Sequence, residues 1–203
     1  VKWSTVLQKV EQVVAACQAM AATPPGIVPL RVRSAWLVGD VLAGPRDDLD
    51  VVAVALAVDQ DVAWGTQPQG AGQWLRAARL ATAPVSVTWR PAHAVANHAV
   101  VRPLRCWDDA DGADEAVLAA VRAGTAPALR SAAPTPQERA ARLEADLATS
   151  LAALRRTSAD VVEHRHSPGS PAKRADALAD AAAGYLALLD ARDARDARDA
   201  AGA

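Results

Sequence analysis

The chain contains no Phe, one Tyr, one Met and two Cys in 203 residues. Without Phe, the interior must be built from Val, Leu and six Trp, with Ala letting helices approach closely. Cys17 and Cys106 fit no zinc-ligand spacing and are too few for a disulfide framework. An excess of one charge is missing as well. Lys and Arg number 22 and Asp and Glu 23, for a net charge of −1. The balance holds along the chain, with 12 bases and 12 acids in residues 1–130 and 10 and 11 in residues 131–203. Neither part carries the basic excess that a phosphate backbone requires, which argues against nucleic acid as a partner. No apolar run approaches the roughly 18 residues of a membrane span. Lys9 and Glu11 interrupt any signal-peptide core. Gly39 to Gly44 is not followed by Lys-Ser/Thr, and no Gly-x-Ser-x-Gly occurs, so a P-loop and a nucleophile elbow are excluded. These absences predict a cytoplasmic, reducing setting and no membrane partner.

What is present is a chain 51% hydrophobic and rich in Ala, a bias typical of GC-rich bacterial genomes. Val6, Val10, Val13, Cys17 and Met20 recur at helical spacing, which predicts a helix from Ser4 or Thr5 to about Ala22 and a buried free thiol at Cys17. Arg31–Val38 alternates and reads as a strand. Asp50–Val58 is a β-branched apolar run, the pattern of a strand buried on both faces. A short helix over Gly70–Ala81, strands over Val85–Trp89 and Ala99–Trp107, and a helix over Asp111–Ala123 follow. Pro103 within the fourth strand suggests an edge or a bulge.

After a Pro/Ala-rich linker, Thr135-Pro136-Gln137-Glu138 combines an N-cap Thr, Pro at the first helical position and Glu at the capping-box position. It predicts a helix to about Val162 with Leu143, Leu147, Leu151 and Leu154 on one face. Ser167-Pro168-Gly169 breaks it, and Ser170-Pro171 starts a second helix with Leu178, Ala182, Tyr185 and Leu189 at 4-3-4 spacing. Two such helices make an antiparallel hairpin, whose Ala-rich face suits packing on the α/β domain or on a second copy, and the expected partner is a protein or a homodimer through this hairpin. The terminal repeat ARDARDARDA never places an acid four residues before a base, so it reads as a fraying, solvated helix end. The expected organisation is an α/β domain over 1–124, a linker over 125–134, the hairpin over 135–190 and a low-complexity tail over 191–203.

The candidate site is the connection between the first two strands. Gly39-Asp40 closes one strand and Asp48-Leu49-Asp50 opens the next. On a strand, Asp48 and Asp50 face the same way, and two carboxylates so placed can share hard divalent cations that align a triphosphate. A glycine at position 39 lets a phosphate approach the backbone. The alternative is a turn whose carboxylates cap backbone N–H groups. His93 and His98 lack a third ligand nearby in sequence, and Trp64 and Trp89 are the aromatics nearest the turn that could stack a base.

With Val38-Gly39-Asp40 and Asp48-Leu49-Asp50-Val51 in these places, residues 28–107 resemble the nucleotidyltransferase (polymerase-beta-like) superfamily, whose motif is an apolar residue, Gly, then Gly or Ser, a spacer, and acidic-apolar-acidic-apolar opening the next strand. The Lys2-Trp3 start, the GD…DLD segment and the TPQE-capped hairpin also look like an uncharacterised actinobacterial family. The resemblance implies an α/β (α+β) fold with a mixed sheet, flanking helices and the helical hairpin appended. It also implies Gly39 against a phosphate, and Asp48 and Asp50 as ligands of Mg²⁺ holding an NTP. The sequence departs from the pattern at three points. Asp40 stands where the superfamily has Ser or Gly, the spacer Val41–Asp47 is short, and the strand at Val85–Trp89 carries no third carboxylate. Asp108 and Asp109 follow the next strand but sit past its end. The reading is a divergent nucleotidyltransferase-like protein with a non-catalytic, regulatory or interaction role. The alternative is an active Mg²⁺-dependent enzyme moving NMP from an NTP to a small molecule, a protein or an RNA end.

Overall fold

The computed structural model describes residues 2–164 and 171–201. The Ser167-Pro168-Gly169 break and the Ser170 cap lie outside the described residues. The chain divides into two compact units, Val1–Asp61 with Pro68–Pro134, and Val62–Gln67 with Thr135–Ala203.

The first unit is a mixed sheet with flanking helices. It runs α1 (Trp3–Ala22), β1 (Val32–Leu37), β2 (Val52–Val58), α2 (Ala71–Ala77), β3 (Val85–Pro91), β4 (Leu104–Asp108), β5 (Gly112–Ala113) and α3 (Glu115–Ala123). The strand order is β3-β2-β1-β4-β5. β2 has the apolar run that demands burial on both faces, and six of its seven residues are buried. It therefore sits inside the sheet, antiparallel to β1 and parallel to β3. α1 packs over β1, β2 and β4 with the predicted stripe, Val6, Val10, Val13, Cys17 and Met20, turned inward. Arg31 caps the far end of α1, its guanidinium donating to the carbonyls of Met20 (2.9 Å), Ala21 (3.1 Å) and Thr23 (2.5 Å). Trp74, Trp89 and Trp107 fill the interior in place of Phe, Trp74 meeting Trp89 edge-on at 5.9 Å.

Several element ends differ from the sequence pattern. β2 starts at Val52, two residues after Asp50. β4 starts just after Pro103, because a residue without an N–H ends the ladder there, and the strand lies between β1 and β5. α2 stops at Ala77, before Arg79 takes a left-handed backbone (φ +56°). α3 begins at Glu115, where Asp114 accepts from the Val117 N–H at 3.0 Å.

The second unit is the hairpin of α4 (Pro136–Glu163) and α5 (Pro171–Ala201). The capping box forms as the TPQE signal requires. The Thr135 N–H donates to Glu138 at 2.7 Å, and the Glu138 N–H donates to Thr135 at 3.2 Å. The backbone donor at Thr135 holds the Glu138 carboxyl below its ordinary range. Ion pairs join the early part of α4 to the late part of α5 (Glu144–Arg195) and the reverse (Asp160–Arg174), so the helices run antiparallel. The ARD repeat stays helical to Ala201 and largely exposed.

The inward face of α5 is Ala181, Gly184 and Leu188. The expected Leu178, Ala182, Tyr185 and Leu189 are only half-buried at its flank. The reason is the segment 62–67, which packs against the hairpin. Trp64 joins the cluster of Leu143, Leu147 and Leu188, and its backbone N–H donates to the buried Ser150 hydroxyl at 3.2 Å. A Cβ on Gly184 would overlap the Trp64 carbonyl oxygen, and a Cβ on Gly65 (φ +76°) would come within 3.1 Å of the Gly184 Cα. Two glycines therefore let a loop lie flush on a helix. Gly184→Ala should lower stability by about 1–3 kcal/mol through overpacking, despite the better helix propensity of Ala. Chemical denaturation checks this, and an unchanged or higher midpoint would contradict the close approach.

Candidate functional site

The strand register brings the candidate residues to one end of the sheet. Leu37 at the end of β1 pairs with Val54 near the start of β2 and with Leu104 at the start of β4. Val52 and Val85 open β2 and β3 side by side. The segments before and after these positions, Gly39-Asp40 and Asp48-Leu49-Asp50, therefore meet at this end. Gly39 (φ +68°) begins a 3₁₀ turn, Gly39–Leu42, which buries Val41 and Leu42. Nothing lies within 4 Å of where a Gly39 Cβ would stand, so the glycine answers to backbone conformation and the space beside it is open.

The acidic turn is tied down at three points. Pro45 fits beside Gly124, where a Cβ would come within 2.6 Å of the proline ring. Leu49 is buried. Asp47 accepts from the backbone N–H of Trp3 at 2.8 Å, which satisfies an otherwise unpaired donor at the start of α1. One of the carboxylates is thus a helix cap, which is the structural alternative that the sequence allowed.

Asp48 and Asp50 precede β2 and are both exposed, flanking the buried Leu49. They share an outward direction through this in-out alternation and not through membership of the strand. Arg46 lies in the spacer between Asp40 and Asp48. Its guanidinium grips Asp48 with both branches, Nε to Oδ1 at 2.5 Å and Nη2 to Oδ2 at 2.6 Å, and lies 3.5 Å from Asp40. Arg46 thus bridges the two halves of the candidate site. Its hydrogen bonds pull the Asp48 carboxyl below the ordinary carboxylate range, and Asp48 in turn raises the Arg46 guanidinium.

The other acids lie elsewhere. Asp108 pairs with Ser34 in the β1–β4 register, so Asp108 and Asp109 sit at the opposite end of β1 from Gly39, about 16 Å away along the strand. Arg105 binds Asp108 at 2.9 Å, and Arg33 joins Asp109 (2.8 Å) to Asp59 (2.5 Å). β3, whose start shares the end with Gly39, carries no acid. Among the described residues no group of three or more His, Cys, Asp or Glu side chains could hold a metal ion, His93 and His98 included. At residues 39–50 the carboxylates of Asp40 and Asp48 face the Arg46 guanidinium. The aromatics considered for base stacking are otherwise engaged, Trp89 buried against Trp74 and Trp64 packed in the hairpin unit.

A family model described as a domain of unknown function (DUF7711) matches residues 1–194. The chain belongs to that family. The DUF7711 match takes in the whole sheet unit and nearly all of the hairpin. No curated protein and no solved structure matches the chain. No helix among the described residues is long and apolar enough to cross a membrane.

The Arg46–Asp48 pair makes a pH prediction. A carboxyl depressed in the folded state adds stability above its unfolded pKa and loses it as pH falls through the folded value. Arg46→Met should return Asp48 to the ordinary range of about 4 and flatten that part of the acid limb. Carboxyl-detected NMR titration reads the shift directly, and an Asp48 midpoint unmoved by the substitution would contradict the pairing.

Proposed function

We propose that this member of the DUF7711 family acts by binding, through a divergent nucleotidyltransferase-like domain that has given up catalysis. The observation that carries this reading is the position of Arg46, held on Asp48 and close to Asp40. A guanidinium there supplies internally the positive charge that a metal would otherwise bring. Asp40 adds negative charge where a triphosphate would need to approach Gly39. Asp108 and Asp109 lie too far from this end to serve as the third carboxylate that would activate an acceptor hydroxyl. The hairpin is the module suited to a protein partner or a second copy, and the near-zero net charge argues against nucleic acid. The buried thiols fit a reducing, cytoplasmic setting. Burial raises both, Cys106 to about 12, which keeps them as inert core groups.

Isothermal titration calorimetry with ATP, GTP, CTP and UTP in the presence of Mg²⁺ tests the proposal. At about 1 mM nucleotide, near the top of the usual KM range, no heat beyond dilution is expected. Asp50→Asn, at an exposed position, should leave the melting temperature unchanged. Saturable heat with any one nucleotide, lost in Asp50→Asn, would overturn the binding-only reading. It would favour the Mg²⁺-dependent transfer of NMP, with Asp48 and Asp50 as metal ligands and Gly39 against phosphate.

A further inference from the structure

The buried residues of the hairpin are unevenly spread. On α4 they are Leu143, Leu147 and Ser150, and on α5 they are Ala181, Gly184 and Leu188. From Leu151 to Glu163 no residue of α4 is buried, and neither is any described residue of α5 before Ala181. Two helices pairing over this length without burial gain little from propensity alone. The same stretch of α4 nevertheless carries apolar side chains. Leu151 and Leu154 are half-buried, and Val162 is 73% exposed. With Arg155, Ala159 and Glu163 they line a shallow groove of about 780 Å³.

The spacing of these residues defines the surface. Leu151, Arg155, Ala159 and Glu163 form one row at intervals of four, and Leu154 and Val162 lie on the row beside it. Ala159, the smallest of the first row, lies midway between its two charged members. Arg155 and Glu163 stand four residues to either side, about 6 Å each along the axis. Neither makes an ion pair among the described residues. The charges next to them follow the same division, Arg156 toward the start of the helix and Asp160 toward its end.

We infer that this face of α4 is a homodimer interface in which two copies pack antiparallel about a two-fold axis at Ala159. A two-fold contact must be self-complementary, each patch meeting its own reverse. Reversal of this stretch sets Arg155 against Glu163 of a second copy, and Glu163 against its Arg155. Parallel packing would instead set like charges together. Ala159 permits close approach at the axis, and Val162 and Leu154 enter the contact on either side. The charge pattern therefore selects both the occupant, another copy of this chain, and its orientation. This deepens the binding role proposed above by naming the partner, and it is tested independently of nucleotide binding.

The experiment is sedimentation velocity with light scattering on the full chain from about 1 to 100 µM, a range that brackets micromolar dissociation. A dimer is expected. Arg155→Glu alone and Glu163→Arg alone should each weaken it about tenfold or more by setting like charges together. The combined Arg155→Glu, Glu163→Arg protein restores self-complementarity and should recover the dimer to within about threefold. Val162→Asp should dissociate it, with circular dichroism verifying that the helices remain. A monomer at the highest concentration would overturn the inference and leave the face to a different partner. A dimer indifferent to the single charge reversals would overturn it equally, since its interface would lie elsewhere.

Discussion

The sheet unit depends on hiding β2 from water on both faces. Val52–Val58 has hardly a polar side chain to offer solvent, and each Val or Leu side chain removed from water contributes about 1.5–3 kcal/mol. Only an interior place in the sheet meets that need. β1 returns antiparallel on one side, and β3 comes parallel on the other after the crossover through α2. α1 closes the sheet with its own valine stripe. The polar groups just upstream of β2 are thereby forced to the end of the sheet, where carboxylates can reach water.

That placement explains why the connection between β1 and β2 resembles a catalytic turn. An apolar strand ended by glycine, followed by acids that open a buried strand, is what a phosphate- and metal-handling site requires. It is also what any buried strand requires at the edge of its core. The side chains of this turn have partners of their own. Asp47 is committed to the start of α1 and Asp48 to Arg46, so two of the three acids of the turn already have partners within the fold. Arg46 binds the turn to itself, joining Asp48 to Asp40.

Much of this architecture was legible. The stripe of α1, the doubly buried β2 and the capping box at Thr135 are local patterns with direct physical causes, and each formed where its residues called for it. What was not legible depended on non-local contact. Arg46 lies in the spacer of the motif, and only the folded turn brings its guanidinium onto Asp48 and close to Asp40 across the turn. The inward face of α5 was displaced by one residue because Gly184 makes room for Trp64, 120 positions earlier, and a hydrophobic pattern gives glycine no weight. The beginning of β2 was misplaced for a related reason. Asp50 continues the in-out alternation of a strand, but Val51 is exposed and the ladder begins only at Val52.

The central claim is that the acidic end of the sheet is satisfied from within by Arg46. Paramagnetic relaxation by Mn²⁺ tests this most directly, because a bound ion broadens amide signals close to it whatever its chemical role. The account predicts that low concentrations of Mn²⁺ leave the amides of residues 39–50 no more broadened than those of other exposed acidic positions. Selective broadening centred on Asp48 and Asp50, saturable and reversed by excess Mg²⁺, would contradict it.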